Sequence, residues 1–100
     1  MNAYGEAVKA YSRYKDIDCS LLLANIANVY SNCQMYSVAE KYYLEAINER
    51  KSKSPKRKEM LDQMYRQLSL VREKMEKYSE ALDSLEKAGE LAQQGYGNTI

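Results

Sequence analysis

The stretch Leu23-Ala24-Asn25-Ile26-Ala27-Asn28-Val29-Tyr30, followed by Tyr36-Ser37-Val38-Ala39-Glu40-Lys41-Tyr42-Tyr43, decides the fold. Leu23, Ile26, Ala27 and Tyr30 run large, large, small, aromatic at steps of three, one and three, which sets all four on one side of a helix. In the second stretch Tyr43 follows Ala39 by four residues, about one helical turn. A small residue lets two helix backbones approach while larger neighbours fill the remaining space, so Ala27 and Ala39 read as contact points between helices. The pattern recurs along the chain. Tyr4-Gly-Glu-Ala7, Tyr36-Ser-Val-Ala39 and Tyr78-Ser-Glu-Ala81 each place a tyrosine three residues before an alanine, with Tyr11, Tyr43 and Leu85 four residues later. These units stand 32 and 42 residues apart. Upstream of Ala81 the other pattern returns as Tyr65, Leu68 and Ser69, with Arg72 in place of the aromatic.

The whole resembles the tetratricopeptide repeat (TPR), a helix-turn-helix unit with large, large, small, aromatic on its first helix and alanine then aromatic on its second. Ala46 and Ala88 extend the likeness. The resemblance covers residues 3 to about 94 and implies an all-α fold: a TPR-like superhelix of antiparallel helix pairs, about two and a half repeats in five helices. It divides domain 1–94 into a second-helix remnant (3–16) and two repeats (19–52 and 55–94), followed by a flexible tail (95–100). The interval of 42 exceeds the usual ~34 by eight residues, around Asn48 to Lys58. Longer pairs of this kind, with Asn25-Ile26-Ala27-x-x-Tyr30, look like the repeats of kinesin light chains and of GoLoco-containing spindle-orientation scaffolds; the interval of 32 departs from them.

Capping chemistry refines the boundaries. Asp18 can cap a helix running to about Asn32, and Ser37 with Glu40 forms a capping box that Ser79 repeats. Ser54 before Pro55 reads as an N-cap with proline at the first helical position. Gly95 suits a C-terminal stop. Helices are therefore expected near 3–16, 19–33, 37–52, 55–75 and 79–94.

Composition removes whole classes of function. One hundred residues hold one domain. Fifteen Lys plus Arg against fourteen Asp plus Glu leave a net charge of +1, so no global field draws the chain to nucleic acid or anionic lipid. The longest apolar run, Leu21 to Ala24, is far short of the ~20 residues a membrane span needs. An early Glu6 and no apolar stretch beside it argue against a secretory signal, which makes the cytoplasm the default location. Cys19 and Cys33 lie about 21 Å apart along a single helix, beyond disulfide reach, so both are expected reduced and partly buried. There is no histidine, and the glycines form no phosphate-binding loop. Neither metal nor cofactor is expected. Asp83, Glu86 and Glu90 are spaced like an exposed helix face, and the chain is read as no enzyme.

What remains is binding. The resemblance implies that first helices line a concave groove, the usual binding surface of such repeats. On a wheel of 19–33, Leu22, Leu23, Ile26, Tyr30 and Cys33 fall on one side and Asn25, Asn28 and Asn32 on the other. Asparagine is a poor helix former, so this stripe needs another reason. One acceptor and two donors per amide can hold the main chain of an extended peptide. A shift of 42 carries the stripe to Gln67, Leu70 and Lys74, amide, apolar and basic in turn, with Leu21 mapping to Gln63 and Arg66 alongside. Asn25, Asn28, Asn32, Gln63, Arg66, Gln67 and Lys74 are thus the candidate peptide-binding residues, with an acidic group of the peptide expected near Lys74 or Arg66. One variant of the superfamily clamps the terminal carboxylate of heat-shock chaperones with Lys and Arg; here Gln63 and Gln67 stand in their place. The leading reading is a non-catalytic protein-protein interaction module, a scaffold or adaptor with a protein or peptide partner. The rival is a structural segment of a larger assembly, or a self-associating array.

Residues 50–58, RKSKSPKRK, hold six Lys or Arg and read first as a solvated turn, then as a nuclear import signal or a proline-directed phosphorylation site at Ser54, with nucleic-acid binding last. Among the ten tyrosines, Tyr4, Tyr36 and Tyr78 read as packing residues and Tyr42 as outward. Met60, Met64 and Met75 read as core filler. Stacked repeats need polar caps, so apolar side chains are expected uncovered at both ends, with Val8, Leu82 and Leu91 as candidates.

Overall fold

The computed structural model describes residues 3–15, 17–56 and 58–93. Among them lie five α-helices: α1 (Ala3–Lys15), α2 (Ser20–Asn32), α3 (Tyr36–Lys53), α4 (Leu61–Lys74) and α5 (Tyr78–Gln93). α2 packs on α3, α4 on α5, and α3 on α4, while α1 leans on α2. The chain is all-α with a helical-repeat arrangement, as the spacing of its alanines requires. Ala27, Ala39 and Ala46 have no exposed surface at all.

The turns inside the two helix pairs are copies of each other. In the first, Gln34 takes a left-handed φ of 64°, its N–H donates to Ser31 O (3.0 Å) and Met35 N donates to Tyr30 O (2.9 Å). Forty-two residues later Glu76 has φ 61°, its N–H donates to Glu73 O (2.9 Å) and Lys77 N donates to Arg72 O (2.8 Å). This paired closure satisfies carbonyls that the helix end would otherwise leave bare, and it reverses the chain at the same point of each repeat.

Several boundaries differ from the sequence expectation, each for a physical reason. α3 runs on to Lys53, Ser54 closes it, and α4 begins only at Leu61, so the helix expected over 55–75 is shorter at its start. Proline bars the preceding residue from helical geometry, and Pro55 accordingly ends α3 instead of opening α4. α3 and α5 start at Tyr36 and Tyr78, and Met35 caps α3 without any side-chain bond, so the Ser37–Glu40 capping box does not form. Cys19 and not Asp18 is the N-cap of α2, and Asp18, one residue earlier, accepts from Ser20 N at its Oδ1 (2.9 Å). Gly95 and the tail 95–100 lie outside the described residues.

Glu40 has a different employment. Its Oε2 accepts from Arg72 Nε at 2.9 Å and its Oε1 from Lys77 Nζ at 3.0 Å. Arg72 also donates from a terminal nitrogen to Ser84 Oγ (2.8 Å), so α3, α4 and α5 share one ionic junction. In the first repeat the equivalent Tyr30 stacks on Tyr42 instead, rings 5.9 Å apart and 3° from parallel. The replacement of aromatic by arginine thus exchanges stacking for an ion pair. Burial by itself would raise the Glu40 carboxyl, but the hydrogen bonds and charges of Arg72 and Lys77 outweigh it and hold the group below its ordinary 4.5. Asp18 is likewise held below 3.8: burial opposes, while bonds from Ser20 and Ser54 and the charge of Arg50 prevail. Because the unfolded chain takes up these protons first as pH falls, both groups contribute stability above about pH 4.5 and lose it as pH drops through their folded values. The melting temperature should therefore fall between pH 5 and 3, and Glu40→Gln should flatten that fall; a wild-type slope unchanged in the variant would refute the Glu40 share.

Other side chains correct the sequence reading. Tyr42, expected outward, is fully buried. It lies on Tyr30 and against α1, where a Cβ on Gly5 would collide with its hydroxyl. Met64 is core and Met75 packs against it, but Met60 is 41% exposed, because it precedes α4 with a left-handed φ of 70°. Tyr36 packs on the core whereas Tyr78 is 63% exposed. Val8 is buried and Leu91 packs on the core, which leaves Leu82 as the uncovered member of the expected three. Cys19 is buried and Cys33 exposed, and both are free thiols.

Candidate functional site

Between α2 and α4 runs a depression of about 200 Å³. Leu21, Ala24, Asn25 and Asn28 of α2 form one wall, Gln63, Met64 and Gln67 of α4 the other, and Tyr43 of α3 lies at its base. Four of the seven candidate residues thus share one surface. The helical spacing of three that separates Asn25 from Asn28 lays both on the flank of α2 facing α4, and Gln63 and Gln67, four apart, answer from the opposite flank.

Tyr43 organises the floor. Its hydroxyl donates to Asn28 Oδ1. Burial pushes the phenol up to about 12, so it remains a protonated donor at physiological pH. With Oδ1 accepting from Tyr43, Asn28 keeps its NH2 as a donor. Asn25 and Gln67 are exposed and Gln63 half-buried, so their amide groups are open to a ligand.

The other three candidates stand apart. Asn32 is exposed at the C-terminal end of α2, and Lys74 is exposed at the C-terminal end of α4. Arg66 is held by Asp62, N to O 2.9 Å, one turn earlier on the same helix. Its charge is therefore directed at a buried neighbour. Arg50, first residue of the basic run, is also structural: its Nε donates to Ser20 Oγ (3.0 Å) and pairs with Asp18 (3.2 Å), and a terminal nitrogen donates to Glu59 O (2.9 Å). Lys51 and Lys58, with Lys87 of α5, border a separate depression over Tyr65.

A larger trough, about 520 Å³ and mostly apolar, lies on the adjoining flank of α2, shares Asn25 with the amide-lined depression, and was not anticipated. Leu22 and Cys33, assigned by the wheel to the same side as buried Leu23 and Ile26, are exposed there instead, with Val29 and Met35. A signal was available, since α2 contains no charged residue.

With this geometry in place, comparison with known proteins adds one relation. The chain is similar to the regulatory protein RapK of Bacillus subtilis (strain 168), 33% identical over 84 residues, an alignment taking in 82% of this chain and 22% of the relative. The chain thus spans about a fifth of the length of that curated relative. No family model and no solved structure matches it. The relative is named as a regulatory protein. Among the described residues no helix is long and apolar enough to cross a membrane.

Proposed function

We propose that this chain is a non-catalytic interaction module that holds a peptide segment of a partner protein along the depression between α2 and α4. One observation carries the reading: Asn25 and Asn28 from one first helix and Gln63 and Gln67 from the next line the same surface. Amides on both walls can pair with successive peptide groups of an extended chain, and the apolar Leu21 and Met64 between them exclude water from those bonds. Lys74, exposed farther along α4, would receive an acidic side chain. The regulatory name of the relative supports a binding role.

The test is selection from a library of random twelve-residue peptides on the wild-type chain, followed by affinity measurement with the Asn25→Ala, Asn28→Ala double variant. Loss of two hydrogen bonds of about 1 kcal/mol each predicts binding at least tenfold weaker. Selected peptides that bind the double variant equally well would refute the groove. The single variants should also differ in stability. Asn25→Ala should change it by less than about 0.5 kcal/mol, whereas Asn28→Ala should cost about 1 kcal/mol because the buried Tyr43 hydroxyl loses its acceptor.

A further inference from the structure

Elsewhere in the described residues the half-buried cations meet carboxylates: Lys9 pairs with Glu45, Lys53 with Glu49, and Arg72 and Lys77 share Glu40. The depression over Tyr65 is different. Lys51 of α3, Lys58 of the segment before α4 and Lys87 of α5 border a space of about 280 Å³ that is also lined by buried Leu61 and Tyr65 and half-buried Leu91. Glu90 is the one acid among these lining residues, which leaves two positive charges in excess. Asp83 lines the neighbouring depression instead. Among the described residues Lys51, Lys87 and Glu90 form no ion pair.

Like charges drawn together repel, so a cluster assembled from three separate segments needs a reason. The sequence shows how it is built. Lys51 and Lys58 both lie in the extra length around Asn48 to Lys58 that sets the interval of 42 apart from an ordinary repeat. α3 is accordingly 18 residues long, against 13 for α2 and 14 for α4. The added turns carry two lysines to the side of the molecule where Lys87 stands. Tyr65 supplies a further donor. Its side chain belongs to a residue only 8% exposed, and its oxygen accepts from Lys51 Nζ at 3.4 Å, so its own hydroxyl hydrogen remains to be given.

We propose that this depression binds a phosphate monoester, its phosphate among Lys51, Lys58 and Lys87, one oxygen accepting from the Tyr65 hydroxyl, and its organic part against Leu61 and Leu91. Charge selects the group. A phosphate monoester carries about −1.5 to −2 near pH 7 and so matches the local excess, whereas a single carboxylate supplies about half of it. Three acceptor oxygens suit donors that arrive from three segments, and lysine meets phosphate as a point charge that needs no planar fork. The site shares no residue with the amide-lined depression, so it stands apart from the peptide reading.

The probe is phenyl phosphate, titrated into the isotope-labelled chain and followed by the nuclear magnetic resonance shifts of its amides. Saturable shifts should centre on Leu61, Tyr65 and Lys87. Lys51→Gln and Lys87→Gln should each weaken binding at least tenfold; both side chains are exposed, and unchanged amide shifts elsewhere confirm that the fold is kept. Lys41→Gln, at an exposed lysine elsewhere on α3, should leave binding within twofold. Benzoate, the same ring with one charge, should bind at least tenfold more weakly. A phosphoserine peptide reads the source: tighter binding than phenyl phosphate at the same residues assigns the group to a modified partner, weaker binding to a free small molecule, and both uphold the site. No saturable shift up to about 10 mM phenyl phosphate, benzoate binding as tightly, or Lys41→Gln as damaging as Lys87→Gln would overturn the proposal.

Discussion

Replacing Arg50 by alanine is expected to destabilise the chain by about 3 kcal/mol or more, whereas Lys56→Ala, in the same basic run, should cost less than about 0.5 kcal/mol. Arg50 is 3% exposed and ties the head of α2, through Asp18 and Ser20, to the body of α3 and to the Glu59 carbonyl before α4. Its removal takes the cation from the Asp18 carboxylate and the donor from the buried Ser20 hydroxyl. Lys56 is exposed on the turn after Pro55. Urea unfolding at pH 7 compares the two directly, and midpoints shifted by the same amount would mean that the buried pairing contributes nothing beyond surface charge. A small domain is stable by only about 5–15 kcal/mol, so the expected loss is a large share of the total.

Ala39→Leu should be nearly as damaging, at about 1–3 kcal/mol, by the opposite route of overfilling. Ala39 has no exposed surface, and α2 packs directly on α3 there. A leucine would force the two helices apart and disturb the Tyr30–Tyr42 stack nearby. Ala7→Leu provides the matched control. Ala7 holds the same repeat position on α1 but is exposed, so the added side chain should change stability by less than about 0.5 kcal/mol. Equal thermal shifts for the two variants would refute the view that Ala39 is a close helix contact and Ala7 is not.

The amide groove was legible because helical spacing is a local property. Once Leu23, Ile26 and Ala27 are assigned to the packed side of α2, Asn25 and Asn28 must lie elsewhere on it, and a repeat of 42 brings Gln63 and Gln67 round to meet them. Arg66 and Asn32 show where such reasoning stops. The wheel sets Arg66 beside the groove, but a carboxylate one turn away, at Asp62, takes its charge. Asn32 lies at the end of its helix, beyond the depression. Pro55 failed as a helix start for a related reason, because a proline is compatible both with the first turn of a helix and with the residue after one. Here Ser54 closes α3 before it, and α4 begins only at Leu61.

Periodicity and residue size, readable along the chain, were enough to establish helix pairs that touch at Ala27 and Ala39 and to put amides on one flank of α2, since both follow from 3.6 residues per turn and from how closely small residues let helices approach. Which flanks are covered was decided only in three dimensions. Leu22 and Met64 hold equivalent positions, as do Tyr11 and Tyr43, yet one of each pair is buried and the other open. Burial depends on what stands beside a helix, and a helix carries no record of its neighbours in its own spacing.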